Sequence, residues 1–446
     1  MSALCSDFRC RLGTERLRHP VVILMLVFLA GCAGRAQGVL VPYAGEVTGT
    51  SRVEMLVATT RSATPDEPGR MFSGARGEGL TYADIAISIP PDEVRQIGDV
   101  QWPRSLPGDP SRDFVTLKAD RVAEETAFRR LDEMTARQGR HVLVFIHGYN
   151  NSFEDAVYRL AQIVHDSRAP IVPVLFTWPS GGGLFGYGYD RESANYSRDA
   201  LERLLAKLAA DRSVGEITVL AHSMGNWVTL EALRQMAIRD GRVARKIGDV
   251  ILAAPDVDVD VFRTQIAAIE GEGPRFTLFV SRNDRALAVS RRVWGSSARL
   301  GAIDPELEPY RSELERDQIT VVDLTGVRSS DPLNHGTFAQ APEAVHLLGR
   351  QLASGQDLST FEVGVGDRIA DLATSTGATV GGAAGLIVSA PIAIVDQRSR
   401  RSYDDRLEHF GNSLGETVEN TGELLVQPLQ AGQPSRRRPA RAGGLW

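Results

Sequence analysis

The sequence predicts an α/β protein, a mostly parallel sheet covered by helices on both faces. Three observations lead there. Short apolar runs alternate with stretches of helical periodicity. Several runs are apolar without interruption, as strands buried on both faces require. Segments rich in Gly and Pro surround the earliest of these runs. With 446 residues, 43% of them hydrophobic and 24% charged, the chain can bury one large core and still carry extensions.

The elements follow in order. Residues 33–52 are small and polar and read as a tether. Residues 53–59 form a short apolar run and 83–89 alternate in polarity, so 60–113 is strand and loop. From 141 the pattern is regular. Residues 141–146 read as a buried strand. Residues 152–166 have helical spacing through Phe153, Ala156, Val157, Leu160, Ile163 and Val164. A second buried strand is expected at 171–178, and a helix at 198–210 with Leu201, Leu204, Leu205 and Leu208 on one side. Then come a strand at 216–220, a helix at 224–238, strands at 250–253, 276–280 and 319–324, and a helix at 341–351. Beyond 352 the character changes. Residues 372–395 carry no charge and are long enough to span a bilayer. Their threonines, serines and Pro391 make them weakly apolar, so they are expected to pack on the domain or lie at a lipid surface. A weak amphipathic helix at 403–426 precedes a polar tail. The resulting division is signal 1–31, tether 32–52, catalytic domain 53–351 and extension 352–446.

The N-terminus reads as an export signal. Arg9, Arg11, Arg16 and Arg18 precede an apolar run at 21–30, a charged region followed by an apolar one of signal length. The run ends in Leu29-Ala30-Gly31-Cys32, which resembles the bacterial lipobox, where the cysteine becomes lipidated. A signal anchor ending near a cysteine is the alternative. Cys32 is therefore the expected lipidation site, with the domain held in the cell envelope facing the periplasm. Ala33 after it, rather than Asp, favours the outer membrane of a diderm host. Removing the signal makes the remainder two charges more acidic than the full chain, whose net charge is −6. The body keeps no cysteine, so no disulfide and no thiolate metal site is expected there. Without a basic face, nucleic acid is not an expected partner. No HExxH and no GxxxxGK[ST] occurs, so neither a metal nor a cofactor is expected. No pattern speaks to self-association.

Ala221-His222-Ser223-Met224-Gly225 lies between an expected strand and an expected helix. That is the context of the GxSxG nucleophile elbow of the α/β-hydrolase fold, with Ala221 in place of the first Gly. Ser223 is the candidate nucleophile, and the Met224 N–H, at the helix start, faces an oxyanion. A serine nucleophile needs a base. His19 leaves with the signal, and His222 is expected to point away on the elbow. His141 starts a strand, and His165, His346 and His409 sit in helices. His147 precedes Ser223, whereas the fold's order is Ser, acid, His. That order selects His335, and His147-Gly148 is left to turn the Tyr149 N–H toward the oxyanion hole. The acid is Asp284, after the 276–280 strand, with Asp256 as the alternative; Asp258 and Asp260 read as solvated loop carboxylates. The loop 179–188 either shapes an acyl pocket with Leu184, Phe185 and Tyr187 or is a flexible connector.

His147-Gly-Tyr-Asn, Phe176-Thr-Trp-Pro-Ser, Ala221-His-Ser-Met-Gly-Asn, Ala254-Pro-Asp-Val-Asp and Ser281-Arg-Asn-Asp together resemble an uncharacterised bacterial family of α/β-hydrolases in the esterase/lipase superfamily. The resemblance covers roughly residues 53–350 and implies that fold and a carboxylic-ester hydrolase. The expected partners are a small-molecule or lipid ester and the membrane that holds the N-terminal lipid. A thioesterase or amidase would use the same site. A noncatalytic envelope-binding module on a hydrolase scaffold is the reading from a different class.

Overall fold

A continuous apolar strand must be covered on both sides, and this decides the architecture around β4 (His141–Ile146). In the computed structural model, Val142, Val144 and Ile146 enter one core while Leu143 and Phe145 enter the other. The structure describes residues 38–354 apart from 68, 182–185, 270–272 and 295–296. Cys32, Leu184, Phe185 and the 372–395 segment lie outside the described residues. Among those described, no helix is long and apolar enough to cross a membrane.

Nine strands form one sheet in the order β3-β2-β1-β5-β4-β6-β7-β8-β9. They are β1 (Ser51–Ala63), β2 (Phe72–Ile89), β3 (Val115–Val122), β4, β5 (Val172–Thr177), β6 (Glu216–His222), β7 (Ile247–Ala253), β8 (Arg275–Val280) and β9 (Thr320–Asp323). Only the β1–β2 and β2–β3 pairs are antiparallel; every pair from β1 to β9 through β5 is parallel. The expected fold class is therefore the observed one. On one face lie α1 (Glu124–Gln138), α3 (Tyr187–Ala210), α4 (Gly225–Asp240) and α5 (Val259–Ile269). On the other lie α2 (Phe153–Ser167) and α9 (Pro342–Ser354). Shorter helices are α6 (Arg285–Trp294), α7 (Tyr310–Arg316) and α8 (Thr337–Gln340).

From β4 the chain moves to β5 on one side and then to β6 on the other. The helix after β4 covers one face and the helix after β6 the other. The strand order therefore reverses direction between β4 and β6, and in such sheets ligands bind at the carboxyl ends of the strands at that point.

Several elements differ from the expectation. Helix α3 begins eleven residues earlier, because its first turns bury Asp190, Ser193, Ala194 and Ser197 rather than leucines. Helix α1, absent from the sequence reading, buries only Ala127, Leu131, Met134 and Thr135. Residues 39–40 lie within the expected tether but are packed. Val39 and Leu40 are buried, and the Val39 carbonyl accepts from Thr116 Oγ1 at 2.9 Å and Tyr158 Oη at 3.2 Å.

Behind α8 a buried ion pair fixes the loop that supports it. Arg95 donates to both Asp166 oxygens, at 2.5 and 3.1 Å. Gly98 N–H and Gln162 Nε2 donate to Asp166 Oδ2 at 2.8 Å each, and Gln162 also reaches the Ala339 carbonyl at 3.1 Å. Burial alone would raise the Asp166 carboxyl, but hydrogen bonds from His165, Arg95, Gly98 and Gln162 outweigh it and hold it well below the usual range. Asp166→Ala should leave the buried Arg95 cation with only the half-exposed Asp92 carboxylate, 3.4 Å away, as an anionic partner, and cost up to about 3–5 kcal/mol. Urea unfolding measures this; a loss under about 1 kcal/mol would mean that the pair carries no structural weight.

Candidate active site

Ser223 sits between β6 and α4 with φ of 54°, in the left-handed region, at a cost of roughly 1–2 kcal/mol for a residue with a side chain. The surroundings enforce it. Ser223 N–H donates to the Ala253 carbonyl at 3.0 Å, and the Ser223 carbonyl accepts from Asn226 N–H at 3.1 Å and Asp256 N–H at 3.2 Å. Asn226 Nδ2 donates to the Ser223 carbonyl at 2.9 Å and the Ala253 carbonyl at 3.1 Å. Asn226, to which the motif alone assigns no role, is the clasp of the turn. Met224 precedes the first residue of α4, where backbone N–H groups lack intrahelical acceptors.

The loop after β4 lies directly against this turn. A Cβ on Gly148 would stand 2.7 Å from Ser223 Cβ, and one on Gly225 would stand 2.5 Å from the His147 carbonyl oxygen and 2.8 Å from that of Ile146. Ala221 fits in place of glycine because its position is a regular strand site, paired with Ile146 and Leu252.

Asp284 follows β8 and His335 follows β9, the next strand in the sheet. Asp284 Oδ2 accepts from His335 Nδ1 at 2.7 Å, and its Oδ1 accepts from Leu287 N–H at 2.9 Å in the first turn of α6. A carboxylate only accepts, so the His335 proton is assigned to Nδ1 and the neutral ring carries its lone pair on Nε2. Asp331 Oδ2 holds the backbone N–H groups of His335 and Gly336 at 2.6 and 2.7 Å. Burial lowers the proton affinity of the imidazole. The charge and hydrogen bond of Asp284, with the charges of Asp256 and Asp331, outweigh burial and raise its pKa above the ordinary 6.5.

His222 departs from the expectation. Its ring does not turn away but packs 4.7 Å from the His335 ring and 4.8 Å from Phe338. Its Nε2–H donates to the His335 carbonyl at 3.2 Å. Burial, reinforced by the neighbouring His335, keeps it neutral, with its pKa well below 6.5. Asp256, the alternative acid, has other partners. Tyr187 Oη donates to Oδ2 at 2.9 Å, Ser290 Oγ to Oδ1 at 2.8 Å, and Arg299 Nε stands 3.4 Å away. Tyr187 thus braces Asp256, and its ring lies 5.4 Å from that of Tyr149.

Beneath the loop after β4 lies a polar group that the sequence reading passed over, because Arg61 reads as an ordinary charge near a strand end. It is 1% exposed. Burial pulls its guanidinium down to about 10, against the opposing pull of Asp190. His147 is equally buried, and burial together with the Arg61 charge lowers its pKa to about 3. Its ring stacks on Trp178 at 4.9 Å, and Trp178 Nε1 donates to its carbonyl at 2.9 Å.

A family profile described as an alpha/beta hydrolase of unknown function (DUF900) matches residues 121–351, just over half of the chain. An uncharacterised protein of Nostoc is 24% identical over a match that covers 38% of this chain and 58% of that protein. The chain therefore spans less than two thirds of that curated relative's length. Among solved structures, a Listeria innocua protein aligns with a TM-score of 0.32 at 9% identity, over 49% of this chain and 95% of that one. A Pyrococcus furiosus esterase aligns with a TM-score of 0.27 at 10% identity, over 70% and 96%.

The close approach at the turn is testable on stability. Gly225→Ala forces main-chain oxygens apart and should cost about 1–3 kcal/mol, whereas Gly79→Ala, with nothing within 4 Å of its Cβ, should stay within about 0.5 kcal/mol. Equal denaturation midpoints for the two variants would contradict the packing.

Proposed function

The chain belongs to the DUF900 family of α/β hydrolases, and from that premise we propose that it is a serine hydrolase cleaving carboxylic esters through Ser223, His335 and Asp284. The observation that carries this reading is the 2.7 Å bond between His335 Nδ1 and Asp284 at the ends of adjacent parallel strands. The strained Ser223 turn opens on the same edge of the sheet.

In the proposed reaction, His335 Nε2 takes the Ser223 hydroxyl proton as Oγ attacks the ester carbonyl. The carbonyl π electrons move onto oxygen, and the backbone N–H groups of Met224 and Tyr149 stabilise that oxyanion. When the tetrahedral species collapses, the C–O bond to the alcohol breaks and His335 returns the proton to the leaving oxygen. A water molecule, deprotonated by the same imidazole, then attacks the acyl-enzyme. Its collapse releases the acid and restores Ser223. Asp284 keeps the Nδ1–H tautomer and stabilises the imidazolium, while Asp256 braces the wall through Tyr187 and Ser290.

Hydrolysis of p-nitrophenyl acetate tests this. Ser223→Ala should lower kcat by on the order of 10⁴–10⁶, and fluorophosphonate should label the wild type at Ser223 alone. Asp284→Asn should cost about 10⁴ in kcat, and Asp256→Asn much less. Wild-type turnover in Ser223→Ala would overturn the proposal; collapse in Asp256→Asn with activity retained in Asp284→Asn would move the acid.

The pH profile follows from His335. Only the neutral ring accepts a proton, and its pKa is raised, so kcat/KM should fall as pH drops through a value above 6.5. The residual activity of Asp284→Asn should show that limb at lower pH, because the largest raising contribution is gone. An acid limb that stays in place in Asp284→Asn would contradict the assignment.

A further inference from the structure

The oxyanion assignment requires the Tyr149 N–H to point one way, and the buried group beneath it supplies a reason. The Arg61 guanidinium has five N–H bonds, and all five are engaged. Nε donates to Thr177 Oγ1 at 2.8 Å. Nη1 donates to the carbonyls of Ser180 at 3.0 Å and Ser73 at 3.3 Å. Nη2 donates to the Asn151 carbonyl at 2.8 Å and lies 3.4 Å from His147 Nε2. None of these bonds goes to a carboxylate. A buried cation without a contact anion is costly, so its bonds to these loops must offset that cost.

Thr177 Oγ1 accepts from Arg61, which leaves its own hydrogen for His147 Nε2, 2.9 Å away. The Trp178 N–H also points at that nitrogen, at 3.2 Å. Three donors around Nε2 leave it no place for a proton of its own. The His147 proton must then sit on Nδ1, which stands 2.8 Å from the Gly148 carbonyl oxygen and donates to it. In a trans peptide the carbonyl and the following N–H point in opposite directions. Drawing the Gly148 oxygen toward His147 therefore turns the Tyr149 N–H the other way.

The rest of the loop is held by Ser180, Asp190 and Asn151, whose Nδ2 also reaches the Gly148 carbonyl at 3.3 Å. Ser180 Oγ accepts from Asn151 N–H at 3.1 Å and donates to Asp190 Oδ2 at 2.5 Å. Asn151 Nδ2 holds the Tyr149 carbonyl at 2.8 Å. Asn150 takes a φ of 58° between these points.

We propose that Arg61 and His147 form a relay that positions the oxyanion loop: Arg61 fixes the His147 tautomer, and the His147 Nδ1–H fixes the Gly148–Tyr149 peptide plane. The relay rests on the reading of Ser223 as nucleophile, yet its first test does not require turnover. Nitrogen-15 NMR of the histidine-labelled full chain should show His147 as the neutral Nδ1–H tautomer at pH 7 and still at about pH 5. Arg61→Lys keeps the charge but loses the fork, and should give a mixture of tautomers. An Nε2–H tautomer in the wild type would overturn the relay whether or not the protein hydrolyses esters.

Kinetics supplies the second test. An asparagine at 147 places its amide donor near the position of Nδ1, and a glutamine places its own near Nε2. His147→Asn should therefore keep kcat for p-nitrophenyl acetate within about tenfold. His147→Gln should lose roughly 10²–10³, the worth of one oxyanion donor, with KM changed less than about twofold in both. A merely structural role would rank the two variants by their melting temperatures alone, and that ranking would overturn the relay. An absence of turnover and of fluorophosphonate labelling in the wild type would instead bring down the hydrolase reading and leave the tautomer result standing.

Discussion

The edge of the sheet that carries Ser223 depends on how closely the loop after β4 lies against the turn after β6. Two glycines permit it, one on each side: Gly148 faces Ser223 Cβ, and Gly225 faces the carbonyl oxygens of Ile146 and His147. Neither segment can retreat, because β4 and β6 are hydrogen-bonded neighbours in register from His141 to Ile146. The contact therefore rests on covalent and sheet geometry, and the Asn226 side chain clasps the strained Ser223 turn against it.

Around that contact buried and half-buried charges fall into two groups with different tasks. Under the β4 loop lie Arg61 and Asp190, each surrounded by backbone and hydroxyl partners rather than by each other. Beyond the turn lie Asp256, Asp284 and Asp331, whose summed charge keeps the His335 imidazole receptive to a proton. The first group shapes the backbone and the second shapes the proton affinity of one ring. Burial makes both effects strong, since each charge acts through little water.

Much of this was legible in the sequence, for identifiable reasons. Strand β4 could be read because six consecutive residues are apolar or flank an apolar run, and its observed bounds are those expected. Asp284 and His335 could be read as neighbours because each follows a strand, and successive parallel strands place their loops side by side. Sequence patterns are silent where burial is polar. Arg61 lies on a strand whose pattern says nothing of the loops that meet it 86 to 119 residues later. The start of α3 hides behind serines and an aspartate. The direction of His222 depends on Phe338 and on the His335 carbonyl, both more than a hundred residues away. Periodicity reports a face, and it cannot report a partner.

Asp284 divides its carboxylate between two donors, the Leu287 N–H on one oxygen and the His335 Nδ1–H on the other. Two acceptor atoms at fixed separation leave little choice of side chain. An amide would have to turn its NH2 group toward one of two hydrogens, so the helix start and the imidazole would compete for a single oxygen. A longer carboxylate would overshoot a position already 0% exposed. The start of α6 and the ring of His335 thus share one residue as a common origin of coordinates, and no drift of that helix can occur without also tilting the imidazole.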